Sequence, residues 1–342
     1  MNLIFWILLV IISVLALAVV YFKKVPHGWV QLKTGLALKF LPPLDSTGVV
    51  ELRHGLEKFV DKQKASIAKS LPVASDKYID IPTRHGDIRA RIMTPDRVEN
   101  DMICVLIHGG GWCIGSTKTY EEVHRRLTKT CGSTVVSLEY SLSPEIKFPH
   151  AHEECYDAVS WITRHLDQIQ SGAKSIYLVG DSAGGNLVVS TIYEVDTEVR
   201  KMISHMIPVY PAIDGQKQYY SNEAYAKGYY LTAKAMAQFT EAMLTDEAQL
   251  ADRRMSPILL DTVEHFPKTF IITADYDPLR DQGEAYAAKI KSEGADVRLK
   301  RFHGTVHAFF GLKGFGSRGV TAIDDIARFL KGEEISDLMP LS

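Results

Sequence analysis

The chain has 342 residues, 46% of them hydrophobic and 23% charged, which excludes a disordered or collagen-like protein and suits two domains or one large α/β domain. Lys plus Arg number 39 against 41 Asp plus Glu, a net charge of −2, and a balance that even leaves no electrostatic footprint for nucleic acid. Four cysteines, Cys104, Cys113, Cys131 and Cys155, are too few for a disulfide scaffold, and their spacing fits no CxxC metal pattern.

Residues 3–22 are apolar apart from Ser13 and Tyr21. Twenty helical residues span about 30 Å, the thickness of a bilayer's hydrocarbon core, so residues 1–24 are read as a single-pass transmembrane anchor. A cleaved signal peptide is the alternative, since Ala16-Leu17-Ala18 looks like a small-residue cleavage site. Against it, no Lys or Arg precedes the apolar run, which is also longer than a usual signal core. Lys23, Lys24, Lys33 and Lys39 all follow the run and precede the first acid, Asp45. That asymmetry predicts a catalytic domain on the cytoplasmic side, and no N-x-Ser/Thr sequon speaks against it.

Residues 25–75 then read as a juxtamembrane segment followed by helices, with Leu52, Leu56, Phe59 and Val60 at helical spacing over 46–69. From residue 76 onward, strands alternate with helices. Residues 78–81 and 88–92 alternate apolar with polar about a His85-Gly86-Asp87 turn, the pattern of a hairpin. Nearly continuous apolar runs follow at 102–107, 134–138, 175–179, 203–209 and 269–273, which suits strands buried on both faces of a parallel sheet. Helical patterns intervene near 120–130, 151–165, 185–194 and 281–292. This alternation predicts an α/β fold with a mostly parallel central sheet covered by helices on both faces. Residues 214–251 interrupt it and are read as a helical insertion over the sheet.

Gly180-Asp181-Ser182-Ala183-Gly184 lies between the strand at 175–179 and a helical run, the context that a G-x-S-x-G nucleophile elbow requires. The small residues allow a sharp turn, and the helix N-terminus favours negative charge developing near Ser182. Upstream, the strand at 102–107 ends in His108-Gly109-Gly110-Gly111-Trp112. Backbone N–H groups of Gly109, Gly110 and Ala183 are therefore the expected oxyanion hole. A serine needs a base, and the base an orienting acid. Downstream lie Asp275, Asp277 and Asp281 after one strand, and His303 and His307 after the last. Near His150-Ala151-His152-Glu153-Glu154 no H-E-x-x-H occurs, and the two histidines would face different sides of a helix; no metal site is expected.

These motifs together resemble the hormone-sensitive-lipase family of α/β-hydrolase esterases, which includes arylacetamide-deacetylase-like enzymes and bacterial carboxylesterases. The resemblance runs from about Tyr78 to the C-terminus through HGGGW, the Gly180–Gly185 elbow, Ser256-Pro257, Asp277-Pro278-Leu279-Arg280-Asp281 and the His307 loop. It implies the α/β-hydrolase fold, Asp277 as the acid and His307 as the base. It also implies that the helices near 46–69 and the 214–251 insertion form a cap over the site. One segment departs from the family: Glu139-Tyr140-Ser141-Leu142-Ser143-Pro144-Glu145 lacks the usual arginine, which puts a structural ion pair in doubt.

The resulting expectation is a serine carboxylesterase acting on a small-molecule ester through Ser182, His307 and Asp277, with no cofactor. Its base must be neutral, so activity is expected to fall as pH drops through about 6 to 7. Tyr219, Tyr220, Tyr229 and Tyr230 are expected to crowd the pocket and favour short to medium acyl chains. An amidase or deacetylase on the same triad, and a non-catalytic small-molecule receptor, are the alternatives. Oligomeric state is not readable from the sequence.

Overall fold

A computed structural model describes residues 3–41 and 44–341, with side chains described from Ile11 onward except at Lys313. The chain opens with α1 (Leu3–Lys23), a short hairpin of β1 (Lys24–Val25) and β2 (Gly28–Trp29), then α2 (Leu32–Phe40), α3 (Val49–Asp61) and α4 (Lys64–Ser70). Next come β3 (Ser75–Thr83), β4 (Gly86–Thr94), β5 (Met102–Ile107), α5 (Glu121–Cys131), β6 (Val135–Glu139), α6 (His150–Arg164) and α7 (Leu166–Ile169). They are followed by β7 (Ser175–Asp181), α8 (Ala183–Glu194), α9 (Thr197–Lys201) and β8 (Ile203–Val209). The insertion holds α10 (Tyr220–Ala224) and α11 (Ala233–Met243). The chain closes with β9 (Lys268–Tyr276), α12 (Arg280–Ser292), β10 (Val297–Val306) and α13 (Arg318–Leu330).

Eight strands form one sheet in the order β10-β9-β8-β7-β5-β6-β4-β3. The strands from β10 to β6 pair in parallel, and the β3–β4 hairpin adds antiparallel at one edge. The continuous apolar runs have a direct explanation in this arrangement. Along β5, Ile103, Val105 and Ile107 join one core, with α6, α8 and α12, while Cys104 and Leu106 join the other, with α5 and α13. Both faces of the strand are dry, so both sets of alternating positions must be apolar.

Arg91 on β4 is 2% exposed and pairs with Asp76 at 2.7 Å and with the buried Glu121 at the start of α5. Arg125 completes the group, reaching Glu121 at 2.6 Å and Asp76 at 2.9 Å. Burial alone would raise the Asp76 carboxyl, but the hydrogen bond and charge of Arg91, and the charge of Arg125, hold it below its usual value. The cluster pins the first turn of α5 to the sheet, and with it the neighbouring Tyr120. Arg91→Met should cost about 3 kcal/mol, the low end for breaking a buried pair because Arg125 remains on Glu121. Urea unfolding tests it, and an unchanged midpoint would show that the cluster contributes nothing.

The expected transmembrane anchor is overturned. Among the described residues no helix is long and apolar enough to cross a membrane. Part of the expected span falls on residues 1–10, whose side chains lie outside the described ones. Residues 11–23 rise only about 20 Å as helix, against about 30 Å of hydrocarbon. The last turn of α1 is moreover folded back onto α2. The rings of Phe22 and Phe40 are 6.1 Å apart, and the backbone at Gly35 lies so close to Phe22 that a Cβ there would sit 1.7 Å from its carbonyl oxygen. The prediction of a cytoplasmic side fails with the anchor, because charge asymmetry orients only a segment that spans. From β2 onward the chain is docked on the main body. Trp29 N–H donates to the Tyr276 hydroxyl (3.0 Å), Gln31 N–H to Gly304 O (3.1 Å) and the Thr34 hydroxyl to Phe315 O (3.0 Å).

Candidate active site

The carboxyl ends of β5, β7, β9 and β10 bring four loops together above the sheet. At the end of β7 the chain turns so tightly that Ser182 takes φ +55° and ψ −120°, a strained conformation for a residue with a side chain. Glycine is required behind it, for a Cβ on Gly184 would lie 2.1 Å from the Ile107 carbonyl oxygen. The turn presents the Ser182 hydroxyl at the N-terminus of α8.

The His307 Nε2 lies 2.9 Å from Ser182 Oγ, and its Nδ1 lies 2.7 Å from Asp277 Oδ2. Asp277 is fully buried, and its other oxygen accepts the Leu279 N–H at 2.8 Å. The Tyr210 ring packs against His307 with centroids 4.6 Å apart. These three predicted residues come from segments up to 125 positions apart and meet in one relay. The alternative acids and base lie elsewhere. Asp275 accepts Gly304 N–H at 2.9 Å and stands 3.6 Å from His303, whose side chain is mostly exposed. Asp281 accepts Ser221 N–H and pairs with Arg280 at 2.8 Å.

Of the three N–H groups expected to form an oxyanion hole, one already has partners within the protein. Gly109 N–H is already engaged, donating to Asp181 Oδ1 at 2.9 Å and to the Tyr120 hydroxyl at 3.0 Å. Among the described residues the N–H groups of Gly110, Gly111 and Ala183 have no protein acceptor, and all three residues line the cavity beside Ser182. Gly111 is the residue of the run that the expectation left out. The signal was the length of the glycine run, since three glycines leave a choice as to which two face inward.

Ser182 and His307 open into a cavity of about 1290 Å³. Its apolar wall is built by Leu52, Leu56 and Phe59 of α3, Ile67 of α4, and Met236 and Phe239 of α11. The four tyrosines expected to crowd the pocket do not share one place. Tyr230 lines the cavity, whereas the Tyr219 hydroxyl donates to Asp214, Tyr220 is exposed and the Tyr229 hydroxyl is bonded to His27. In the segment that lacks the arginine, Ser141 donates from both its N–H and its hydroxyl to Glu154 at 2.7 Å. Arg53 of α3 reaches Glu145 at 3.0 Å, and also donates to Cys113 O and Ser143 O. That guanidinium ties α3, which buries no side chain of its own, to the body beneath it. His150 and His152 point apart, the first to Glu154 at 3.2 Å and the second to Asn186 at 2.9 Å.

Residues 104–311 match a family model described as alpha/beta hydrolase fold. The chain is 31% identical over 264 residues to an arylesterase of Saccharolobus solfataricus, covering 76% of this chain and 86% of that protein. It is 29% identical over 277 residues to an ethyl acetate hydrolase of Pseudomonas putida, covering 77% and 86% respectively. Among solved structures, an esterase of Pyrobaculum calidifontis superposes with a TM-score of 0.78 at 34% identity, over 84% of this chain and 94% of that one.

Proposed function

We propose, from the premise that the chain belongs to the alpha/beta hydrolase fold family and is a carboxylic ester hydrolase, that it cleaves esters through Ser182, His307 and Asp277. The observation that carries the reading is the unbroken relay from Ser182 Oγ through both ring nitrogens of His307 to Asp277 Oδ2. Neutral His307 takes the Ser182 proton through Nε2 as the oxygen attacks the ester carbonyl. Asp277, accepting from Nδ1, holds the tautomer that leaves Nε2 free and steadies the imidazolium that forms. The tetrahedral oxyanion is held by the N–H groups of Gly110, Gly111 and Ala183, which have no protein acceptor among the described residues. His307 then returns its proton to the leaving alcohol, and water releases the acid along the same path.

Helices α3 and α4, with α10 and α11 from the insertion, act in this reading as a cap that sets substrate size. The domain division follows: a catalytic body from about residue 76 to the C-terminus, capped by 46–69 and 214–251. The substrates are short- to medium-chain esters. A wall of Leu, Phe and Met side chains gains about 0.8 kcal/mol for each buried CH₂, roughly a fourfold rise in kcat/KM per carbon until the chain outgrows it. A panel of p-nitrophenyl esters tests this. We expect kcat/KM to rise from acetate to about hexanoate or octanoate and to fall by laurate, as the extra carbons run out of apolar wall. A maximum at laurate or beyond would contradict the cap's role.

A further inference from the structure

Asp181, the residue before the nucleophile, takes no part in the relay, yet it is only 3% exposed and no Lys or Arg pairs with it among the described residues. Its oxygens accept from three donors. Oδ1 takes the Gly109 N–H at 2.9 Å, and Oδ2 takes the hydroxyls of Tyr120 at 2.9 Å and Tyr210 at 3.1 Å. Backbone groups fix the direction of both hydroxyls. The Tyr120 oxygen accepts from Gly109 N–H (3.0 Å) and the Tyr210 oxygen from Phe310 N–H (3.3 Å). Each phenolic proton is thereby left for Asp181. A group that only accepts, from three directed donors, is a carboxylate and not a carboxylic acid.

Each donor also belongs to a different part of the site. Gly109 heads the oxyanion loop, Tyr120 enters α5, and Tyr210 follows β8 with its ring on His307 and its hydroxyl on the His307 loop. The contact is close: a Cβ on Gly109 would lie 2.6 Å from the Asp181 carbonyl oxygen and 2.8 Å from Oδ2. Burial pushes the Asp181 carboxyl up from its ordinary value, while the Tyr120 and Gly109 hydrogen bonds, the His307 charge and the Tyr210 hydroxyl draw it back. The other titratable groups around this pair are Asp277, Tyr140, and His108, whose burial holds its pKa down and keeps it neutral; Glu122 and Asp214 stand on the cavity wall.

We propose that Asp181 is a positioning residue: its charge clamps the oxyanion loop and the His307 loop onto the nucleophile elbow and steadies the imidazolium formed during acyl transfer. The inference rests on the triad reading above. Its sign is set by electrostatics, for a buried negative charge favours protonated His307. Removing the charge makes His307 harder to protonate, so the activity that needs the neutral ring persists to lower pH.

The test is the pH profile of kcat and kcat/KM for Asp181→Asn beside the wild type and Ser182→Ala. We expect Asp181→Asn to lower kcat about tenfold to a hundredfold with KM within about twofold, the pattern of an interaction made in the transition state. Its acid limb should move to lower pH by about half a unit or more. A loss of kcat with an unmoved acid limb would reduce Asp181 to a space-filling role and overturn the proposal. Should that variant fail to fold, Tyr120→Phe/Tyr210→Phe removes two of the three donors and keeps the carboxylate. With only Gly109 left to stabilise it, the carboxylate should then protonate at higher pH than in the wild type, which adds a second limb to the profile. A double variant that tracks the wild-type profile would also overturn the proposal. Full activity in Ser182→Ala would sink the triad reading itself, a separate outcome from either.

Discussion

Ser182→Ala is expected to lower turnover of p-nitrophenyl esters by about four to six orders of magnitude and to abolish labelling by fluorophosphonates. The size of the loss has a plain cause. Without Oγ, His307 Nε2 has nothing to deprotonate, and only the free N–H groups and the cavity remain to assist attack by water. The fold should survive, since among the described residues the hydroxyl's partner is His307 alone and the main-chain bonds of the elbow, Ser182 N–H to Val209 O at 2.9 Å among them, stay in place. Thermal melting and steady-state kinetics on the same preparation decide the matter. A folded alanine variant that still turns over esters at the wild-type rate would end the serine-hydrolase reading.

Asp277→Asn should cost about 10⁴-fold in kcat, although it changes a single atom. The Asn amide can donate to His307 Nδ1, and a ring that accepts there carries its proton on Nε2, facing Ser182. It then cannot take the serine proton. The Leu279 N–H bond to Oδ1 fixes which carboxylate oxygen faces the ring, so the exchange is confined to the 2.7 Å contact. The control is Asp275→Asn, which perturbs only the bond to Gly304 N–H and the exposed His303. It should leave kcat within about threefold, the range of a surface change that touches no reacting group. Comparable losses in the two variants would mean that the acid had been misassigned.

The parallel strands were legible because burial on both faces of the sheet forces every position along them to be apolar. Residues 102–107 and 203–209 are strands with the predicted bounds. The elbow was legible for a different reason, because G-x-S-x-G stands between a strand and a helix and a second glycine loop ends an earlier strand; the places of Asp277 and His307 were implied by the family resemblance. Helix α13 was passed over although Ala322, Ile323, Ile326, Ala327 and Phe329 recur at helical spacing and are buried. The apolar start of the chain misled in the other direction. Hydropathy counts side chains, and it takes no account of a helix whose last turn is pinned to α2.

The sequence by itself therefore determined the alternation of elements and the small-residue turn that carries Ser182, because each is a local demand on residue size, polarity or order. Asp277 and His307 were singled out from Asp275, Asp281 and His303 only by the family resemblance. Tertiary structure decided which polar group satisfies which. Gly109, read as an oxyanion donor, is taken by Asp181 seventy-two residues away, while Gly110 and Gly111 have no N–H acceptor among the described residues. Tyr229 is drawn out of the cavity by His27, 202 residues earlier. Glu145 finds its ion-pair partner in Arg53, 92 positions earlier. A hydrogen bond or ion pair depends on atoms within about 3 Å of each other. Residue spacing along the chain holds no record of which distant segment the folded core will bring that close.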